Sequence, residues 1–153
     1  MKLRKCVMQG QRVYLDTSML VKRYVKEVKS DIADTFFHLA QRSEAVICIS
    51  EINLGETAVV FDKYSRKFGI NARDRFRAML RELGSLERSS AVEIFPVTSQ
   101  IIRNATKTVL EQHLYIVDAI QLETCKDAKS DKFCSADMEL NAAAKKAGLV
   151  TVL

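Results

Sequence analysis

Four carboxylates stand where apolar runs give way to helical ones: Asp16 after Val13-Tyr14-Leu15, Glu56 six residues past Ser50, Asp118 after Leu114-Tyr115-Ile116-Val117, and Asp137 after Lys132-Phe133-Cys134-Ser135. Alone, each reads as an ordinary helix cap, favoured by the positive end of the helix dipole. Together at one edge they would repel, each raising the pKa of its neighbours, unless a cation joined them. Oxygen-only donors without a nearby cysteine or histidine suit Mg²⁺ or Mn²⁺ rather than zinc. Such an ion activates water and steadies charge on a phosphodiester, so hydrolysis of a nucleic acid needs no protein nucleophile. Thr17, Ser18 and Ser135 are placed to orient these carboxylates through their hydroxyls.

The elements that must position these acids alternate. Apolar, β-prone stretches at Arg12–Leu15, Val46–Ser50, Val92–Val97, Lys132–Ser135 and Leu149–Leu153 predict about five strands. Helical spacing predicts helices over Met19 to Lys29, Ile32 to Ser43, Glu51 to Phe68, Ala72 to Leu86, Ser99 to His113, Asp118 to Ala128 and Met138 to Ala147. Thr17 and Ser18 are expected to cap the first of these, Ser50, Asn71 and Ser99 later ones, and Gly69 and Gly148 to stop two. Strands alternating with helices imply a mostly parallel sheet in an α/β/α sandwich. In such a fold the strand-to-helix junctions share one edge, so the four acids can meet. Pro96 cannot donate to a ladder and puts the third strand at an edge.

The 153 residues suit one domain spanning 1–153, with 1–11 as a short N-terminal extension. No apolar stretch is long enough for a signal peptide or a membrane span, which makes the cytoplasm the expected location. Cys6, Cys48, Cys125 and Cys134 are far apart in sequence, and three lie in apolar or helical runs, as reduced buried cysteines do. Lysines and arginines exceed acids, 24 against 19. With four acids drawn into one site the rest is more basic still, which suits a polyanionic substrate. Arg73, Arg77 and Arg81 recur every fourth residue. Such a row serves either as a solvated helix face or as a grip on an RNA backbone.

The ordered set Val13-Tyr14-Leu15-Asp16-Thr17-Ser18, Ile49-Ser50 with Glu56, Val117-Asp118-Ala119-Ile120-Gln121-Leu122 and Phe133-Cys134-Ser135-Ala136-Asp137, with Asn141 and Gly148 behind it, resembles a PIN domain. Within that family the chain is similar to the VapC-type toxins of toxin–antitoxin systems. The resemblance implies a Mg²⁺- or Mn²⁺-dependent endoribonuclease in which Asp16, Glu56, Asp118 and Asp137 hold the metal and a metal-activated water attacks the phosphodiester. It also implies a homodimer and a small cognate antitoxin that enters the acidic groove. Glu123 stands where the family often has alanine, a change expected to bear on a helix partner at the dimer surface.

Other readings remain open. A PIN-like fold can bind RNA or protein without cutting, because fold does not fix function. A phosphatase with Asp16 as covalent nucleophile lacks the acid expected at position 18, which is Ser18, and a receiver domain would need an adjacent acid pair.

Overall fold

The computed structural model describes residues 10–153. Cys6 and most of the expected N-terminal extension lie outside the described residues, and Gln11 already belongs to the first strand. Four strands form one parallel sheet in the order β3-β2-β1-β4: β1 (Gln11–Leu15), β2 (Ala45–Ser50), β3 (Val92–Phe95) and β4 (Lys132–Cys134). The crossovers are α1 (Thr17–Tyr24) with α2 (Ser30–Gln41), α3 (Glu51–Phe68) with α4 (Ala72–Arg88), and α5 (Ser99–Gln112) with α6 (Ile116–Asp127), and α7 (Met138–Lys146) follows β4.

The strands' alternation sorts the two faces. Val13, Leu15, Ile47, Ile49, Val92 and Cys134 turn towards α1, α2 and α4, where Leu20, Phe37, Met79 and Leu83 complete one core. Tyr14, Cys48 and Phe133 turn the other way, against Leu122 and Cys125 of α6 and Leu140 and Ala144 of α7. Tyr14 and Phe133 stack there, centroids 5.6 Å apart. Both faces are therefore covered, which is why β2 reads as continuously apolar. Cys48, Cys125 and Cys134 are buried free thiols, as expected.

Several boundaries differ from the sequence expectation. The expected fifth strand is a single parallel bridge, Thr151 to Phe133, because β4 offers only three residues to pair with. The first helix stops at Tyr24 rather than near Lys29, with Val25 extended and Lys29 at φ 70° before α2. Asp16, not Thr17 or Ser18, caps α1, and Thr98, not Ser99, caps α5. Ser50, Asn71 and Gly69 act as expected, Gly69 at φ 70°. Gly10 has no room for a side chain, since a Cβ there would lie 2.6 Å from the Glu44 carbonyl oxygen.

On the first face, Arg23 of α1 donates to Asp34 of α2 at 2.7 Å and to Glu82 of α4 at 2.6 Å, with its guanidinium over Phe37. This ties three helices around the core. Among the described residues no helix is long and apolar enough to cross a membrane.

Candidate active site

β1 and β4 run in register up to Leu15 beside Cys134, so Asp16 and Ser135 leave the sheet side by side. The chain winds from β1 to β2 and β3 on one side, then returns to β4 on the other, and the crevice where a parallel sheet reverses in this way is the usual ligand position. Asp16 sits there with 3% of its surface exposed. Ser18 donates to its Oδ1 at 2.6 Å, Ser135 to its Oδ2 at 2.5 Å, and the Met19 N–H to its Oδ1 at 3.0 Å. Burial nevertheless pushes its carboxyl up to about 6 against these hydrogen bonds, and Asp118 adds to the rise.

Ser18 also accepts from the Ala136 N–H at 2.9 Å, and Ser135 from the Asp137 N–H at 2.9 Å. The two serines thus fasten the β4–α7 turn to Asp16. Asp137 is exposed and caps α7, its Oδ1 accepting from Glu139 and Leu140 N–H at 2.8 and 3.1 Å. Its Oδ2 is left for other work. Asn141 holds the turn from behind, donating to the Ser135 carbonyl at 2.9 Å.

Glu56 lies on α3, where Thr17 and Gln121 donate to its Oε2 at 2.5 and 3.1 Å. The carboxylate of Asp118, half-buried in the first turn of α6, accepts no hydrogen bond among the described residues. Burial, then Glu56, then Asp137, raises its pKa. Asp118 is therefore close enough to Glu56 and Asp137 to respond to their charge, and Asp16 responds to Asp118. As placed, however, no three His, Cys, Asp or Glu side chains among the described residues close into a group that could hold a metal ion. The donor chemistry still fits a hard divalent cation: only oxygens are offered, and two of the carboxyls are driven up by burial and by like charge, a penalty that a cation removes.

Asn53, Gln121 and the Tyr14 hydroxyl, to which the sequence expectation assigns no role, prove central. Asn53 is fully buried; its Oδ1 accepts from the Tyr14 hydroxyl at 2.9 Å and the Ser50 N–H at 2.7 Å, and its Nδ2 donates to Thr17 Oγ1 at 2.9 Å and Gln121 Oε1 at 2.7 Å. It locks β1, α3 and α6 together directly beneath Glu56. Two local signals point to this network: Ser50-x-x-Asn53 has the spacing of a capping box, and Gln121 is one turn from Asp118.

Arg73, Arg77 and Arg81 are all exposed on α4. Arg73 and Arg77 rim a cavity of about 340 Å³ floored by Phe61 and Phe76 between α3 and α4, whereas Arg81 lies outside it. Glu123 is buried, accepting from Thr108 of α5 at 2.7 Å and from Lys126 at 2.9 Å. The helix it faces is α5 of its own chain.

The PIN domain family model matches residues 13–146. A comparison with curated protein sequences finds no match. Among solved structures the chain is similar to Mycobacterium tuberculosis VapC20, a sarcin-ricin loop cleaving toxin, at 20% identity over 90% of this chain and 96% of that one, with a TM-score of 0.62. It is similar also to VapBC2 of Rickettsia felis bound to a DNA fragment from its promoter (15%, 92% and 97%, TM-score 0.61) and to FitAcB of Neisseria gonorrhoeae (13%, 91% and 95%, TM-score 0.57). At these identities the structures establish a shared fold. The match over residues 13–146 shows that the chain belongs to the PIN domain family.

Proposed function

We propose that the chain is a metal-dependent endoribonuclease, acting through Asp16, Glu56, Asp118 and Asp137, and the toxin of a toxin–antitoxin pair. The observation that carries the reading is Asp16: a carboxylate almost wholly buried, clamped by two serines at the sheet's reversal point, its pKa raised by burial and by the charge of Asp118, which itself feels Glu56 and Asp137. When bound, Mg²⁺ or Mn²⁺ supplies an activated water and neutralises charge on the departing oxygen. The chain's own contribution is positioning. Ser18 and Ser135 fix the Asp16 plane, Thr17 and Gln121 hold Glu56 by one oxygen and leave Oε1 uncommitted, and the α7 cap does the same for Asp137.

Arg73, Arg77 and Arg81 are assigned to the RNA backbone, whose phosphates they neutralise without reading sequence. VapC20 is a toxin and VapBC2 was solved on promoter DNA, which supports a cognate antitoxin here. The exposed apolar side chains Ile102, Leu110 and Tyr115, along α5 and just past its end, support a homodimer.

Incubating the purified chain with mixed RNAs in Mg²⁺ or Mn²⁺, and then with EDTA, tests the reading. Metal-dependent cleavage lost in Asp16→Asn and Asp137→Asn is expected; cleavage that survives EDTA or both substitutions refutes the mechanism. One observation favours a second reading, a non-catalytic module that binds RNA or protein: the acids do not close into a ligand group as placed. Binding of RNA with no cleavage of any of them would establish it.

A further inference from the structure

A second cavity, of about 230 Å³, adjoins the acids between α1 and α3. Thr17 and Ser18 form its near wall, and these are the residues whose hydroxyls bond Glu56 and Asp16. Glu56, Val60 and Tyr64 succeed one another every fourth residue along α3, so the groove leads from the acids to Tyr64 over ~12 Å of helix. Val21 and Val60 give it apolar sides, and its far end is polar. There Lys22, 8% exposed, donates to Glu27 Oε2 at 2.7 Å, and the Tyr64 hydroxyl donates to Glu27 Oε1 at 2.6 Å. Burial pushes the Glu27 carboxyl up, but Lys22 and Tyr64 outweigh it and keep it below its ordinary value.

Lys22 is buried while Glu27 is partly exposed, so the pair lines the cavity without being sealed in the core. An ionised carboxylate has about four acceptor sites, of which Lys22 and Tyr64 occupy two; an ammonium has three N–H groups, of which Glu27 takes one. The wall thus retains two acceptors beside spare donors. Among the four bases, guanine alone presents two neighbouring donors, N1–H and N2–H, beside an acceptor, O6. Adenine would set its N1 lone pair against the carboxylate, and uracil has one donor to offer.

We propose that this cavity is a base pocket that takes a guanine neighbouring the cleaved linkage, Glu27 accepting from N1–H and N2–H and Lys22 donating to O6. The assignment of the ligand as an RNA base rests on the ribonuclease reading above. Tyr64 is a positioning residue, steering the Glu27 carboxylate.

The test uses the full chain and two readouts. RNAs identical except for guanine, adenine, uracil, cytosine or inosine at the base beside the cut are compared for cleavage rate, and GMP and AMP are titrated calorimetrically without metal. The guanine RNA is expected to be cut about ten- to a hundredfold faster than the adenine one. Inosine, which lacks only N2–H, should fall several-fold below guanine. Glu27→Gln should bring the guanine RNA down to the adenine rate and abolish the preference for GMP, and Tyr64→Phe should narrow both differences with the fold intact. Cleavage indifferent to the base, or a guanine preference that survives Glu27→Gln, overturns the pocket and leaves the nuclease reading standing. GMP selectivity lost in Glu27→Gln, with no RNA cut, does the reverse. Absence of both cleavage and GMP selectivity overturns the two together.

Discussion

Replacing Asp16 by asparagine should stabilise the metal-free protein at neutral pH while destroying its activity. An unfolded aspartate titrates near 3.8, and the folded Asp16 near 6 because burial opposes its charge. Between those values the folded protein keeps a proton that the unfolded chain has released. Stability therefore falls as pH rises through that window, is unaffected below it, and is lowered by ~3 kcal/mol above it, at about 1.4 kcal/mol for each pH unit of separation. The asparagine variant carries no charge at this position and escapes this loss. Its side-chain oxygen can still accept from Met19 N–H and Ser18, but its amide nitrogen must face Ser135, whose hydroxyl has to turn and accept. One disturbed hydrogen bond costs about 1 kcal/mol. The net gain of ~1–2 kcal/mol should raise the melting temperature by about 5 °C. Thermal melts in EDTA at several values between about pH 4 and pH 8 should show the gain at the upper end and none at the lower. Mn²⁺ should then raise the melting point of the parent protein only. A difference between the two proteins that stays constant with pH, or a variant less stable throughout, would refute the argument that an uncompensated buried charge sits at this position.

Asn53→Ala removes the partner of the buried Tyr14 hydroxyl and the Ser50 N–H, and should destabilise the fold by about 3 kcal/mol in urea titrations, with Tyr14→Phe costing less. If the two substitutions cost the same, the network is not centred on Asn53. Replacing Arg73 and Arg77 together should weaken RNA binding on every sequence and flatten its dependence on salt by about one unit of slope for each phosphate left without its arginine. An unchanged slope would make the row a solvated face.

The layered fold was legible because it rests on local pattern. The alternation of Val13, Tyr14 and Leu15 decides which core each side chain enters, and the uninterrupted apolar run of β2 announces a strand covered on both sides. The position of the four acids near the strand-to-helix junctions was legible for the same reason, since strand ends on a parallel sheet share an edge. What escaped depends on partners distant in the chain. Asn53 matters through Thr17, Gln121 and Tyr14, between 36 and 68 residues away, and the Ser50-x-x-Asn53 spacing announces only its part in the helix cap. Glu123 read as a residue for another subunit because Thr108, its partner on α5, is 15 residues away. The tail read as a strand because Leu149–Leu153 has the composition of one, but two backbone bonds, Phe133 to Val150 and Val152 to Phe133, are all that the short β4 returns to it. Capping falls on Asp16 rather than Thr17 or Ser18, whose hydroxyls are committed to Glu56, Asp16 and the Ala136 N–H, and on Thr98 rather than Ser99.

Asp16 and Asp137 each accept from the backbone N–H groups that open a helix. Asparagine caps a helix as well as aspartate does. The genetic code separates these two amino acids by one base, so a single transition at either codon can silence the proposed enzyme and leave both caps in place. If the chain acts as the proposed toxin, survivors of its expression should therefore carry folded, full-length, inactive protein. An antitoxin that recognises the folded surface would still be sequestered by it.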